Sequence, residues 1–462
     1  MNTKNHITLT LFIFFTSITQ SCKKFVEVDP PIDKMNATAV FKNDVTATSA
    51  ILGIYTTMMG PTSPVISTGG VTLYTGLSAD ELYNTNLSDA ATSEFFDNAL
   101  LPNNSVLLND FWFKGYNIIY GTNACIVGLE FNNDISTPLR NQLLGEALFA
   151  RSFMYYYLVN LFGDVPLLLS TEYIENGKKQ RTPVSQIYAR IIEDLKTARD
   201  LLETSYPTSG RVRPNKWSAT ALLSRIYLTL GEWSFAEQQA SSIINSGAYL
   251  LEQNLNNVFL SESSETIWQL MPVTSGYNTA EGRTFIPTTS ATNIPTFPLT
   301  NYLLEAFEKD DMRKENWVGS KTVSGQTYYY PYKYKIWDYG QPVREYYVVF
   351  RLAEQYLIRA ECYARQDKII ESKNDLNIIR NRSGLANTLA NTSKELVSAI
   401  ENERRIELFA EWGHRWFDLK RNKKASEILA LIKPAWQVTD TLYPIPSGEI
   451  LKNSSLQQNK GY

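Results

Sequence analysis

The spacing of apolar side chains along the chain predicts three strong helices. The first covers residues 137–162, the second begins at Thr182-Pro183, and the third runs from about Tyr346 to Arg365. Apolar residues recur three and four positions apart in each, and the first helix is apolar on two faces, which is typical of an interior helix. Glu146 and Arg151, inside that helix, are therefore expected to be paired structural ions.

Two further places combine helical spacing with a recurring pattern of small residues and tyrosine. Helix pairs of the tetratricopeptide type use small residues where the helices cross and a tyrosine in the gap between them. The pattern therefore predicts stacked helical hairpins. Its members are Ser224, Tyr227 and Ala236 in one place, and Ala360, Tyr363 and Ser372 in the other.

Two long stretches, Gly60 to Asn109 and about Met271 to Pro342, have little helical period and are rich in loop-forming residues. Within the second, aromatic residues alternate from Tyr328 to Ile336, which predicts a strand with one buried face. The remainder of both stretches is expected to form long loops on a helical scaffold. Loops of that length are often functional.

The start of the chain has the pattern of a secretory signal that ends at a cysteine. About a dozen apolar residues, 7–18, are too short to span a bilayer, and the small residues Thr19 and Ser21 precede Cys22. A cysteine in this place resembles the bacterial lipoprotein box, in which the thiol takes a diacylglycerol. An ordinary signal peptide with an incidental cysteine is the alternative. We expect lipidation at Cys22 and a membrane-anchored protein outside the cytoplasm.

Composition excludes several classes of function. The chain has 44 basic and 47 acidic residues and no long basic run, so nucleic-acid binding is not expected. His6 leaves with the signal, and the remaining His414 cannot form a histidine cluster for zinc. Cys125 and Cys362 lie in apolar, helix-like stretches and are expected to be buried thiols. No cofactor and no metal site are expected.

Sequence blocks spread over most of the chain resemble those of the SusD/RagB family of outer-membrane nutrient-binding lipoproteins. Trp412 and Lys460 depart from the usual family pattern. The blocks are GEA…R…LFGDVP at 145–166, RLAE and AE within 346–361, LNIIRNRSGL at 376–385, ERRIEL…EWGHRWFDL at 403–419, YPIP at 443–446 and QNKGY at 458–462.

The resemblance implies a mostly α-helical fold of tetratricopeptide-like hairpins with long irregular loops and a few short strands. It also implies a protein on the outer surface of the cell that caps a SusC-like TonB-dependent β-barrel transporter. Such proteins hand the barrel oligosaccharides or, in some members, peptides, and no catalysis is associated with the family. The expected parts are a signal at 1–21, a tether at 22–34 and one SusD-like domain at 35–462, with an N-terminal part (about 35–260), a C-terminal part (about 261–462) and a loop-rich insert (about 271–342).

Candidate ligand contacts lie among the loop aromatics. Aromatic residues make up 12% of the chain, and their faces stack on sugar rings while neighbouring amides bind hydroxyls. Core or loop packing is the alternative role for each candidate. The candidates are Tyr83, Asn84, Tyr277, Phe285 and Trp317.

The charged residues of the C-terminal signature could instead suggest an active site. Their spacing of four along a helix, with Arg404 and Arg415 nearby, favours ion pairs that lock the last helices together. The competing class is a surface-anchored glycoside hydrolase that uses two carboxylates. The residues concerned are Glu403, Glu407, Glu411, His414 and Asp418.

Overall fold

The computed structural model describes residues 37–60 and 63–462, so the expected signal and the whole expected tether, including Cys22, lie outside the described residues. The α-helices are α1 (Ala37–Val40), α2 (Asp44–Met59), α3 (Gly70–Ser78), α4 (Ala90–Asp97), α5 (Lys114–Leu129), α6 (Thr137–Phe162), α7 (Tyr173–Asn176), α8 (Val184–Leu201), α9 (Lys216–Leu230), α10 (Trp233–Asn245), α11 (Ala280–Phe285), α12 (Asn301–Leu304), α13 (Met312–Trp317), α14 (Leu352–Arg365), α15 (Ile369–Arg382), α16 (Ser393–Glu407), α17 (His414–Arg421), α18 (Ala425–Leu429) and α19 (Ser447–Lys452). The strands are β1 (Thr266–Leu270), β2 (Val318–Val323), β3 (Gln326–Pro331) and β4 (Tyr347–Arg351). The mostly helical fold is therefore confirmed.

Helix α6 is the predicted interior helix. Its N-cap is Ser136, one residue before the predicted start, and it ends at Gly163, whose φ of 74° favours glycine. Almost every side chain beyond its second turn is buried, which explains why no single apolar face marks it. Glu146 and Arg151 are both buried ions, but they pair with Arg213 and Asp194 rather than with each other.

Stacked helical hairpins form the scaffold, as the small-residue pattern predicts. Helix α9 turns into α10 at Gly231, which adopts a left-handed φ of 76°. In the second hairpin, α14 and α15 approach closely enough for Ser372 Oγ to donate to the Ala360 carbonyl at 2.9 Å. Helix α10 packs on α14, which joins the two hairpins into one stack.

One helix prediction and one strand prediction need correction. The third predicted helix begins at Leu352, because residues 347–351 form strand β4, which pairs antiparallel with β1 and is buried on both faces. A short apolar run buried on both faces has no alternation that would distinguish it from a helix. The predicted strand at 328–336 is confirmed only as far as Pro331, where β3 ends. Beyond Pro331 the predicted alternation of buried and exposed residues fails, because the neighbours Lys333 and Tyr334 are both buried.

The region from Gly60 to Asn109 is less irregular than expected, because it contains α3 and α4. Helix α3 is buried along its whole length, so it has no polar face to reveal it in the sequence. Gly70 begins α3 against the Val65 carbonyl, where an added Cβ would lie 2.5 Å from the carbonyl carbon. That close approach requires glycine.

One continuous apolar core extends along the chain from Phe41 to Leu456 and holds the loop regions against the helices. Within the part of the chain that the structure describes, none of the helices has both the length and the apolar character needed to cross a bilayer. The helical scaffold determines where the two loop regions meet, and the candidate site lies there.

Candidate ligand-binding site

The two long irregular regions come together on one side of the molecule. The Tyr83 amide donates to the Pro298 carbonyl at 3.0 Å, and the Thr85 amide donates to the Thr296 carbonyl at 3.0 Å. These bonds join the segment after α3 to the segment before α12 in a short antiparallel contact. Loops that are separated by more than two hundred residues thus form a single surface.

A cleft of about 440 Å³ opens where the two regions meet; we call it the front cleft. It is lined by Thr85, Asn86, residues 283–288, residues 292–294 and Thr296. Most of these side chains are hydroxyls, amides or aliphatic groups. Ligand sites commonly combine apolar surface with a few fixed polar groups in this way.

Asn84 lies behind one wall of the front cleft and holds that wall in position. Its side chain is buried, donates to the Asn86 carbonyl and to Ser93 Oγ at 3.1 Å each, and accepts from the Asn86 amide at 3.0 Å. These bonds hold the turn that presents Asn86 to the cleft. Asn84 is thus placed to position a cleft residue rather than to contact a ligand.

Helix α11 supplies the opposite wall. Its N-cap Thr279 accepts a hydrogen bond from the Gly282 amide, and the helix carries Arg283 and Phe285 into the cleft lining. Phe285 is buried and contributes to the floor. Tyr277 lies half-buried behind the cleft, with the Arg283 guanidinium 4.3 Å from its ring centre. The structure therefore brings two of the predicted aromatics, Tyr277 and Phe285, to this site.

Glu281 fastens α11 to the core. Its Oε1 accepts from the Tyr347 hydroxyl at 2.9 Å, and that hydroxyl lies 3.1 Å from Thr72 Oγ1. Burial raises the pKa of Glu281 to about 8, so the carboxyl is mostly protonated at neutral pH. A neutral acid joined to two hydroxyls is a stable anchor for a helix that carries cleft residues.

The remaining predicted aromatics are placed differently. Trp317 is completely buried: its indole N–H donates to the Leu255 carbonyl at 2.9 Å, and Lys333 Nζ lies 4.7 Å from the ring centre. This contradicts its expected place on an exposed ligand loop, because no face of the ring can be reached. Tyr83 is half-buried next to the cleft wall, and burial with the nearby Tyr328 raises its pKa.

The signature carboxylates belong to a buried cluster that we call the ion network: Glu265, Glu403, Glu407 and Glu411 with Asp311, Arg313, Lys333, Arg351 and Arg382. Glu407 contacts Arg313 at 3.0 Å and Arg351 at 2.5 Å, and also pairs with Arg382. Burial alone raises the pKa of Glu407, but these three guanidiniums hold it well below its ordinary value. Ion pairing of Glu403, Glu407 and Glu411 is thus confirmed, although their partners come from other parts of the chain.

Asp418 and Arg404 form a separate ion pair, at 2.8 Å, and Arg421 contacts the other oxygen of Asp418 at 2.7 Å. The pKa of Asp418 falls to about 2: burial opposes the shift, and the two arginines overcome it. His414 is buried beside them, and burial lowers its pKa well below the ordinary value. These groups join the last helices, and none lines the front cleft.

Other chemistry-bearing residues are also structural. Cys125 and Cys362 are free, buried thiols, as expected. Among the described residues, no group of three or more His, Cys, Asp or Glu side chains is arranged to hold a metal ion.

A second recess of about 600 Å³, the helical-side cleft, lies among Trp233, Arg365, Lys394, Glu401 and Lys424 on the hairpin stack. Two of its basic groups, Arg365 and Lys424, pair with Glu401. This recess is walled mostly by scaffold helices, whereas the front cleft is formed by the two loop regions.

Sequence reasoning missed most of the polar groups in the front cleft, notably Asn86, Arg283, Thr288 and Asn293. Single polar residues in loops have no periodicity that would single them out. One signal was present: Arg283 is the only basic residue between the two named aromatics Tyr277 and Phe285.

Family models match two stretches of the sequence. A model described as starch-binding associating with outer membrane matches residues 24–228, and the SusD family model matches residues 312–462. Among curated relatives, the SusD-like protein P2 of Formosa agariphila is 28% identical, covering 79% of this chain and 83% of its own. The SusD-like protein P38 of the same organism is 24% identical, covering 83% and 86%.

Solved structures share the fold. A SusD superfamily protein from Bacteroides vulgatus superposes with a TM-score of 0.80 at 22% identity, covering 91% of this chain and 100% of that one. A laminarin-binding SusD-like protein gives 0.77 at 22% identity, with coverage of 91% and 100%. Surface glycan-binding protein A from Bacteroides thetaiotaomicron gives 0.77 at 19% identity, with coverage of 91% and 100%.

Proposed function

We propose that this chain, which belongs to the SusD/RagB family, captures an oligosaccharide in the front cleft and delivers it to a TonB-dependent β-barrel transporter in the outer membrane. The observation that carries the proposal is the front cleft itself, where hydroxyl and amide side chains lie beside apolar surface. Structural relatives that are described as laminarin-binding or glycan-binding support the same ligand class.

The chemistry of the front cleft suits a sugar. A sugar ring presents C–H faces that pack on apolar surface, while its hydroxyls need donors and acceptors. Phe285 and Ile286 supply apolar floor, and Asn86, Thr288 and Asn293 supply amide and hydroxyl groups at the walls. A peptide is the alternative ligand. Among the described elements that line the cleft, however, there is no unpaired strand edge along which a peptide backbone could lie.

A glycoside hydrolase is the competing function. Hydrolysis of a glycosidic bond uses two carboxyl groups that flank the bond. Among the described residues lining the front cleft, none is acidic, whereas the carboxylates of the ion network are buried and paired. We therefore favour binding without cleavage.

The proposed anchor explains how the protein would work with a transporter. A lipid at Cys22 would hold the protein in the same membrane as the barrel, and tethering raises the effective concentration of the two partners. Even a modest interface would then remain occupied. We expect Cys22→Ala to release the protein from membranes, and fractionation of this variant with the outer membrane would contradict the anchor.

The binding proposal is tested by calorimetric titration with a panel of oligosaccharides and peptides. We expect binding to a glycan, weakened by Asn86→Ala or Asn293→Ala at unchanged melting temperature. Mass spectrometry after prolonged incubation should return the glycan intact, and shortened products would favour the hydrolase. Binding to peptides alone would contradict the proposed ligand class.

The partner proposal is tested by quantitative pull-down from detergent extracts of the native membrane. We expect a large TonB-dependent barrel to co-purify with the lipidated protein. Recovery of unrelated proteins only would remove the transporter from the proposal without affecting the glycan-binding claim.

A further inference from the structure

One surface helix has a largely apolar outward face. Phe113, directly before α5, and Tyr120 and Val127 within it are 59%, 54% and 58% exposed. Asn117 and Ala124 lie between them, and the spacing of four and three residues places all five on one line along the helix. After its first residue, α5 contains no charged side chain. The outward face of a surface helix is normally charged or polar, so these five residues, which we call the α5 stripe, form an unusual surface.

The elements on either side of α5 extend this apolar surface. Helix α2 packs along one side, and its exposed face carries Val45 and Leu52. On the other side, Asn123 Nδ2 donates to the Leu168 carbonyl at 2.9 Å, and the next residue, Leu169, is exposed. With helices about 9 Å apart and a rise of about 1.5 Å per residue, the three elements cover about 600 Å². That area approaches the roughly 800 Å² that each partner contributes to a stable protein–protein interface.

The α5 stripe has the composition of a seam between two helices. Its large side chains are separated by Ala124 and Asn117, and Gly121 and Gly128 lie partly exposed beside it. Small side chains allow a second helix to approach closely. A single asparagine in an apolar seam fixes the register of two parallel helices, because each amide then meets its counterpart. A lipid surface would leave that amide without a partner, which is costly.

We propose that two copies of this chain pair through the α5 stripe, with the two helices parallel and Asn117 of each copy facing Asn117 of the other. A two-fold axis along the seam relates the copies, as in most homo-oligomers. Identical residues then face one another, and a charged stripe would prevent this because like charges repel. The uncharged stripe permits it. Helix α2 of each copy then faces the segment around Leu169 of the other.

The position of the chain start agrees with a parallel pair. Helix α1, the first described element, packs on α2 and α5. The Phe41 carbonyl, directly after α1, accepts from Asn132 Nδ2 at 2.9 Å, just past the C-terminal end of α5. Parallel helices therefore place both chain starts at the same end of the pair, as two chains anchored in one membrane require. The pairing itself does not depend on the anchor at Cys22.

The oligomeric state of the Cys22→Ser protein, which cannot be acylated, is the first test. Sedimentation velocity over about a hundredfold range of concentration should show a monomer–dimer equilibrium, because dimerisation follows mass action. Tyr120→Glu places two like charges in the seam and should weaken the dimer about tenfold or more. Tyr302→Glu, at a tyrosine of α12 that is 52% exposed, is the matched control and should leave the dimer unchanged. Melting temperatures confirm that both variants are folded.

Disulfide cross-linking tests the direction of the helices. In the Cys22→Ser background, Asn117→Cys and Ala124→Cys should each link to their own counterparts on mild oxidation, whereas the native thiols are buried. The two positions are about 10 Å apart along α5, so an antiparallel pair could link only one of them. Ser49→Cys, on the exposed face of α2, is the control and should not link to itself.

Each remaining outcome overturns the proposal in a distinct way. Monomers at every concentration, or a dimer that Tyr120→Glu leaves intact, contradict pairing through α5. A monomer whose flotation with phosphatidylcholine vesicles requires Tyr120 would assign the stripe to a lipid surface. Loss of only the co-purifying barrel in Tyr120→Glu would assign it to the transporter. Glycan affinity should be unchanged in this variant, because other segments form the front cleft, so glycan binding is tested independently.

Discussion

The ion network and the front cleft both depend on arginine but use it in opposite ways. Arg351 is fully buried in the network and contacts Glu265, Glu407 and Glu411. Arg283 is partly exposed in the cleft, where no lining residue is acidic among those described. The first arginine is surrounded by carboxylates of the protein. The second is stacked on the ring of Tyr277 in the cleft wall.

This difference between the two arginines explains why the charge-rich motifs of this chain belong to the scaffold and not to the ligand site. A charge buried without a partner is very costly, so every buried arginine requires nearby carboxylates at fixed positions. The C-terminal signature supplies those carboxylates and is recognisable in the sequence for that reason. A ligand site has no such requirement, and its residues are scattered through loops.

We expect the largest loss of stability from removing a charge from the ion network. Glu407→Gln leaves Arg313, Arg351 and Arg382 with one carboxylate fewer in a fully buried place. We expect the free energy of unfolding to fall by about 5 kcal/mol, the upper end for a broken buried pair. Chemical denaturation measures the loss, and the exposed Glu371→Gln serves as control. If Glu407→Gln is as stable as the wild type but no longer binds glycan, the ion network is part of the binding site.

Trp317 provides the next test, because the sequence names it as a candidate ligand contact, with packing as the alternative, and the structure buries it. Trp317→Ala removes a completely buried indole and should lower the free energy of unfolding by about 3–5 kcal/mol. Glycan affinity of the folded protein should be unchanged, measured by calorimetry below the melting temperature. If Trp317→Ala loses glycan affinity but keeps wild-type stability, Trp317 contacts the ligand after all.

The anchor of α11 predicts a pH effect of intermediate size. The folded-state pKa of Glu281, about 8, lies above its ordinary 4.5, so its stabilising contribution is full below pH 4.5 and is lost as pH rises through 8. Glu281→Gln removes this titration while keeping a neutral polar group. Its melting temperature relative to wild type should therefore rise between pH 6 and pH 9. A difference that stays constant over this range would mean that Glu281 is ionised in the folded protein.

Tyr83 should give the smallest effect. It is half-buried beside the front cleft but is not part of its lining, so a ligand that extends past the cleft could reach it. We expect Tyr83→Ala to weaken binding of the tightest glycan by about two- to tenfold, the contribution of one aromatic contact. Stability should change little. Unchanged affinity would confine the ligand to the cleft.

The sequence predicted the scaffold well because its elements have strong local signals. Pro138 and Gly163 bracket α6, and the small residues Ser372 and Ala360 mark a helix crossing. It failed where burial removes those signals, as in α3 and in β4, which are buried all round. For the site, it located the two loop regions but not the residues in contact, since the pairing of Thr85 with Thr296 depends on the whole fold.

We expect the ligand to bind in the front cleft and not on the helical stack. Blocking each recess in turn tests it most directly. Thr292 at the front cleft and Lys394 at the helical-side cleft are both exposed, and the native Cys125 and Cys362 are buried. In a Cys22→Ser background, Thr292→Cys and Lys394→Cys can therefore each be labelled with the same bulky maleimide.

Calorimetric titration of the two labelled proteins, with the unlabelled variants as controls, is the decisive measurement. We expect the label at position 292 to abolish glycan binding and the label at position 394 to leave it unchanged. Binding that survives the first label and is lost with the second would place the ligand on the helical stack instead.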